Sequence, residues 1–219
     1  MVGMGQQNLY FLRRRIMSFE YVTRKDYSNL KISLIELIKL VQNELRKFFT
    51  FRFDFIGSAK YNMITVGNPN KGFDFDVNFE IQKIKKEDLT EKEIRSLIIK
   101  SFNKLVNKNK TSLNYPENNS RSITLKEINQ EESKIIYGVD FAIILNGGII
   151  FHNKKQSTIE WQQLRKNNDM LKNIKVIKNK GKWNEFRKKY LEKKNENADN
   201  NKTSCSLFIE SINEIMQEI

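Results

Sequence analysis

The sequence is poor in residues that build several common kinds of site. Its 219 residues include one cysteine, Cys205, and one histidine, His152. A single cysteine excludes a disulfide framework and suits a reducing, cytoplasmic setting. Cys205 stands in the apolar run SCSLFI and reads as a core residue, not a nucleophile. A lone histidine makes neither a zinc site nor a Ser-His triad, so His152 reads as structural or exposed. No apolar run nears the roughly 20 residues of a transmembrane helix, and no membrane partner is expected. Arg13, Arg14 and Arg15 follow the N-terminal apolar stretch, the reverse of a secretory signal. No internal repeat is present.

What the chain has in plenty is positive charge. Lys and Arg number 39 against 26 Asp and Glu, a formal charge of +13. Such a surplus favours anionic partners such as nucleotides or RNA, although a Lys- and Asn-rich composition produces it too. The length suits one sizeable domain, which buries about 70% of the surface its unfolded chain exposes.

The periodicities predict an α+β fold: a central mixed sheet flanked by helices, with a helical C-terminal part. Leu30, Leu34, Leu37, Ile38, Val41 and Leu45 recur at helical spacing, in a helix capped by Asp26 or Ser28 and running to about Phe49. Phe51 to Ile56 alternates as a strand, broken by Gly57-Ser58. Asn68 to Gly72 is turn chemistry. Phe73 to Ile81 alternates again. An amphipathic helix follows, with a capping box at Thr90 and Glu93. Strands are expected at Ser122–Ile128, at Ser133–Leu145 and after Gly147-Gly148. From Trp161 onward the pattern reads as helical, with helices at about 162–179, 183–195 and 206–216 and a polar linker at 195–204. Three regions result: an N-terminal extension over 1–22, a catalytic core over 23–155 and a helical region over 156–219.

Two aspartates interrupt the most strand-like segment, GFDFDVNFEI. At a period of two, Asp74 and Asp76 project from one face, about 6–7 Å apart along the strand. Two carboxylates that close resist joint ionisation unless a cation lies between them, and an oxygen-seeking ion such as Mg²⁺ or Mn²⁺ suits them. Asp140 stands alone in the apolar strand YGVDFAIIL, where a carboxylate needs a partner. If that strand adjoins the Asp-x-Asp strand, three carboxylates meet and can hold two metals for in-line phosphoryl transfer. Gly57 lets backbone approach a phosphate, and Ser58 adds a hydroxyl beside free N–H groups at a helix start. An Asp-x-Asp alone is an ordinary solvent face, and a Gly-Ser alone an ordinary turn. Their order, with the isolated Asp140, carries the reading.

At these residues the sequence resembles the DNA polymerase beta-like nucleotidyltransferase superfamily. Ile56-Gly57-Ser58, then Asp74-Phe75-Asp76-Val77, then Asp140 match its signature over roughly Leu30 to Leu145. The spacer of Ala59 to Phe73 is long, and in this resembles the cyclic GMP-AMP synthase-like and oligoadenylate synthase-like branch. The resemblance implies that Asp74, Asp76 and Asp140 bind metal and are catalytic, and that Gly57 and Ser58 hold the nucleoside triphosphate. It also implies a triphosphate-binding lysine in a C-terminal helix. Lys175, Lys178, Lys180 and Lys182 are the candidates, with Lys178 preferred because Ile174 and Ile177 turn the opposite face inward. Trp161 and Trp183 read as packing residues sooner than base-stacking ones. The chain is short for a cyclic-nucleotide synthase of that branch, and its size resembles stand-alone nucleotidyltransferases, including those of bacterial toxin–antitoxin and defence systems.

The expected activity is transfer of a nucleoside monophosphate from an NTP to a hydroxyl of a nucleotide, RNA, protein or small molecule, with release of pyrophosphate. The basic tail Lys172 to Lys202 raises RNA as the acceptor. The alternative is a non-catalytic module on the same fold that binds RNA or protein through its basic surface. An antibiotic-modifying transferase would need an acidic pocket for a cationic drug, against which the net charge counts.

Overall fold

The computed structural model describes residues 18–67, 72–86, 89–109, 112–164, 168–199 and 202–219. Most of the N-terminal extension, and the turn expected at Asn68 to Lys71, lie outside the described residues. The chain divides into two units. The sheet unit takes in Val22–Ile64 and Pro69–Leu164; the helical unit takes in Met1–Tyr21, Thr65–Asn68 and Arg165–Ile219.

The sheet unit opens with helix α1 (Arg24–Leu45). Its cap is Thr23, joined reciprocally to Asp26 in a capping box, so neither Asp26 nor Ser28 is itself the cap. The helix stops at Leu45 because Phe49 is already pledged to strand β2 (Phe49–Ile56). One helical turn, α2 (Gly57–Lys60), follows β2 directly. Strand β4 (Phe73–Ile84) comes next, then helix α3 (Glu91–Asn109), whose capping box at Thr90 and Glu93 forms as its sequence predicts. The short β5 (Glu117–Asn118) precedes β6 (Ile123–Asn129), β7 (Lys134–Leu145), β8 (Gly148–Asn153) and β9 (Thr158–Gln163).

These strands form one mixed sheet in the order β2-β4-β7-β6-β5. β8 joins the end of β7 and β9 joins β8. β4 and β7 run parallel, as a crossover through α3 requires; the other pairings of this sheet among the described residues are antiparallel.

Alternation sorts the two faces. Phe73, Phe75, Val77, Phe79 and Ile81 turn inward with Val139, Phe141 and Ile143. On them lie the apolar stripes of α1 (Leu34, Leu37, Ile38, Val41) and α3 (Ile94, Ile98, Phe102, Leu105). Aromatic rings fill the middle, with centroids 4.4 Å apart for Phe51 and Phe79 and 4.7 Å for Phe102 and Phe141. Each such ring buried contributes roughly 1.5–3 kcal/mol, which pins β4 in register. A slip of one residue would turn the aspartates into this core.

One expectation fails here. Gln162 and Gln163 end a strand, not begin a helix; the helix starts after them. The cause is the hairpin partner: β8 pairs with β9 over its whole length, from Gly148 opposite Gln163 to Asn153 opposite Thr158. Polar residues on an edge strand carry no visible alternation of their own.

In the helical unit, β1 (Glu20–Tyr21) pairs with β3 (Thr65–Val66). Helices α4 (Asn168–Asn179), α5 (Trp183–Glu196) and α6 (Ser204–Gln217) bury Ile174, Ile177, Phe186, Tyr190, Leu207, Ile212 and Ile215. Cys205 is exposed, contrary to its apolar neighbours' suggestion. It lies in the first turn of α6, off the buried stripe of Leu207, Ser211 and Ile215. Lysines of α5 pair with glutamates in and just after α6: Lys193 with Glu214 at 2.6 Å and Lys189 with Glu218 at 2.5 Å. No helix among the described residues is long and apolar enough to cross a membrane.

Candidate active site

Strand β4 lies between β2 and β7, and its polar face bears Asp74 and Asp76. The parallel register sets Asp76 opposite Asp140 and Asp74 opposite Gly138. Residues paired across a sheet project to the same face, with strands about 4.8 Å apart. The three aspartates, 66 positions apart at their extremes, therefore share one face and one end of the sheet.

Two glycines make room for them. Gly57 ends β2 with φ +56°, a left-handed conformation that favours glycine. A Cβ there would lie 2.6 Å from Oδ2 of Asp76, so the carboxylate rests directly against the Gly57 backbone. A Cβ on Gly138 would collide with Oδ1 of Asp74. Ser58 follows in the single turn, half-buried; its carbonyl accepts from the N–H of Tyr61 and, at 2.9 Å, of Met63. Gly57, Ser58 and Asp76 thus adjoin.

The electrostatics match the register. Burial pushes the Asp76 carboxyl up to about 6, helped by the negative charges of Asp140 and then Asp74. Asp140 is half-buried, and it is not without polar company as its apolar strand suggests. Both Ser122 (3.0 Å) and Thr124 donate hydroxyl hydrogens to its Oδ1. Neither residue stood out in the sequence.

Three carboxylates are hard oxygen donors of the kind that hold Mg²⁺ or Mn²⁺. Burial first, and then the charges of Asp140 and Asp74, disfavour the ionised Asp76, and a cation there would offset both. Among the described residues no three acid, histidine or cysteine side chains close on one point. Asp74, Asp76 and Asp140 share one sheet face without closing on one point, and they are the carboxylates that would hold an ion there. Gly138→Ala is accordingly expected to displace Asp74 and weaken Mn²⁺ binding by about tenfold or more, with unfolding little changed. Electron paramagnetic resonance of free Mn²⁺ measures this; unaltered affinity would show that Asp74 holds no ion.

The remaining sequence candidates stand on other elements. Lys178 is on α4 in the helical unit, its Nζ 4.6 Å from the Trp183 ring centre. Trp183 packs on Phe186 at 4.9 Å. Trp161, on β9, donates its indole N–H to the Leu145 carbonyl at 2.8 Å and lies against Gly148. His152 is half-buried on β8.

No protein-family model matches the sequence, and no curated protein matches it. Solved structures do match in shape. The GTP-bound DncV of Vibrio cholerae superposes with a TM-score of 0.57 at 14% identity, covering 91% of this chain and 53% of that one. DncV of Escherichia coli bound to 3′-deoxy GTP gives 0.57 at 15%, covering 91% and 55%. The STING-associated CdnE c-di-GMP synthase of Capnocytophaga granulosa gives 0.54 at 15%, covering 89% and 61%. The fold is the one these DncV and CdnE structures share. The chain spans about half the length of the DncV structures it matches. The V. cholerae protein is a cyclic AMP-GMP synthase, seen also with a linear intermediate, pppA(3′,5′)pG.

Proposed function

We propose that the protein is a divalent-metal-dependent nucleotidyltransferase that moves a nucleoside monophosphate from an NTP to a hydroxyl acceptor and releases pyrophosphate. The observation that carries this reading is the register that pairs Asp76 with Asp140 on one sheet face, with the Gly57 backbone against Asp76.

Each residue has a part that follows from its place. Gly57, without a side chain, admits the triphosphate to the backbone, and the Ser58 hydroxyl donates to a phosphate oxygen. Asp74 and Asp76 would hold the ions, with Asp140 joining them at one. Bound Mg²⁺ or Mn²⁺ supplies positive charge that offsets the triphosphate and the leaving group. The acceptor oxygen forms its bond to the α-phosphorus as the bond to the α–β bridging oxygen breaks. Pyrophosphate leaves with that electron pair, and the acceptor proton passes to the carboxylate of Asp140. The shared fold with synthases crystallised with GTP supports a nucleotide substrate and a place in bacterial nucleotide signalling or defence.

The test is direct. Incubated with each NTP and Mg²⁺ or Mn²⁺, the protein should release pyrophosphate, and chelation should stop it. A second reading, a basic RNA- or protein-binding module on this fold, draws on the +13 charge. Lys189 and Lys193 of the basic tail pair with Glu218 and Glu214, so the tail offers an anion less than its run of lysines suggests. Tight, salt-steep RNA binding with no turnover of any NTP would favour the module.

A further inference from the structure

We infer that Ser122, Thr124 and Asn119 form a positioning relay that sets the orientation of Asp140 for metal, and that Arg95 anchors it. This rests on the reading of Asp140 proposed above and adds residues that the signature does not contain.

The relay follows from hydrogen-bond capacity. An ionised carboxylate only accepts, so both hydroxyls that reach Asp140 must donate. Thr124 has one hydrogen to give, and it goes to Oδ1. Its oxygen can then only accept, and the Asn119 side-chain amide donates to it at 2.8 Å. Ser122 gives its hydrogen to the same Oδ1 at 3.0 Å. Both donors thus converge on one oxygen. Oδ1 is tied to β6, and Oδ2 is the oxygen left to face an ion. The β-ladder makes this possible, since Thr124 lies directly opposite Asp140 on the side away from Asp76.

Arg95 holds the other end. It is 1% exposed, on α3, within the apolar face of the helix. Its acceptors are all neutral: the Asn118 side chain at 2.9 Å and the carbonyls of Asn119 (2.6 Å), Ser122 (2.9 Å) and Ile150 (3.3 Å). A buried guanidinium is costly to place, and here every recorded bond goes to the segment that presents Asn119 and Ser122 or to the neighbouring β8. Arg95 therefore fixes the backbone that carries Asn119 and Ser122.

Partners that orient a metal ligand typically change metal affinity or activity 10–100-fold when removed. Thr124→Val keeps the shape and removes the hydroxyl. The expected result is Mn²⁺ binding, read by electron paramagnetic resonance on the protein alone, weakened about tenfold. Turnover should fall by a similar factor with the KM for NTP within about twofold, since the substrate is not touched. Thr124→Ser should restore both. Ser122→Ala, which removes one donor at the edge of β6, gives the same reading in a smaller measure should Thr124→Val prove unstable. Asp140→Asn is the reference. Full Mn²⁺ affinity in Thr124→Val and Ser122→Ala, with affinity lost in Asp140→Asn, would overturn the relay and leave the site standing. A Thr124→Ser protein as impaired as Thr124→Val would also overturn it, since the methyl and not the hydroxyl would then matter. Full affinity in Asp140→Asn would remove the reading of the site, and the relay with it.

Discussion

Replacing Asp76 by asparagine is expected to cut pyrophosphate release about a thousandfold, roughly 4 kcal/mol of barrier, while making the metal-free protein more stable. The two effects have one cause. Asp76 is a carboxylate held where its charge is unwelcome: partly buried, against Gly57, with Asp140 and Asp74 beside it. Its pKa is pushed up to about 6 from an ordinary 3.8. The native state therefore binds the Asp76 proton more tightly than the unfolded chain does. Below about pH 4 both states are protonated and Asp76 costs nothing. As pH rises from about 4 to 6 the unfolded chain ionises first, and stability falls. Above about 6 the penalty is complete, at most about 3 kcal/mol. Asparagine removes it. At pH 7.5 the variant should melt roughly 4–8 °C higher without metal, and the gap should close toward pH 4. Mg²⁺ should raise the Tm of the wild-type protein and leave the variant unmoved. Equal melting at pH 7.5 would mean that neither burial nor its neighbours raise the Asp76 pKa.

The second large effect concerns stability. Arg95→Leu should destabilise the protein by about 3 kcal/mol, because the carbonyls of Asn119, Ser122 and Ile150 each lose a partner at a cost of roughly 1–3 kcal/mol. Burial pushes the guanidinium down to about 10, so placing the charge there has its own cost, and relieving that cost offsets part of the loss. Urea unfolding measures the difference. A loss under about 1 kcal/mol would show that leucine packing compensates for the bonds. Because Arg95 holds the segment bearing Asn119 and Ser122, the folded fraction of the variant should also bind Mn²⁺ more weakly.

The strand that matters most was the most legible in the sequence. Phe73 to Ile81 alternates without a fault, so the face of Asp74 and Asp76 follows from period two alone, and the Gly57-Ser58 break after β2 is equally plain. Asp140 could be picked out as a lone acid in an apolar strand. What could not be read was which strand stands on each side of it. Ser122 and Thr124 alternate with Ile123 and Leu125 and so mark a polar face, but only the β6–β7 register sets Thr124 against Asp140. Arg95 was hidden in the same way. A cation beside Ile94 in an amphipathic helix reads as solvated until its acceptors, 23 to 55 residues away, are known. The strand at Thr158–Gln163 was missed because pairing with β8, not its own composition, makes it a strand. Cys205 misled because a helix of SCSLFI shows only some of its residues to the interior.

The account stands most directly on a structure of the protein with Mg²⁺ and a non-hydrolysable NTP. It predicts metal at about 2.0–2.1 Å from oxygens of Asp74, Asp76 and Asp140, with the triphosphate against Gly57 and Ser58. A triphosphate bound elsewhere, with none of the three carboxylates touching metal, would contradict it.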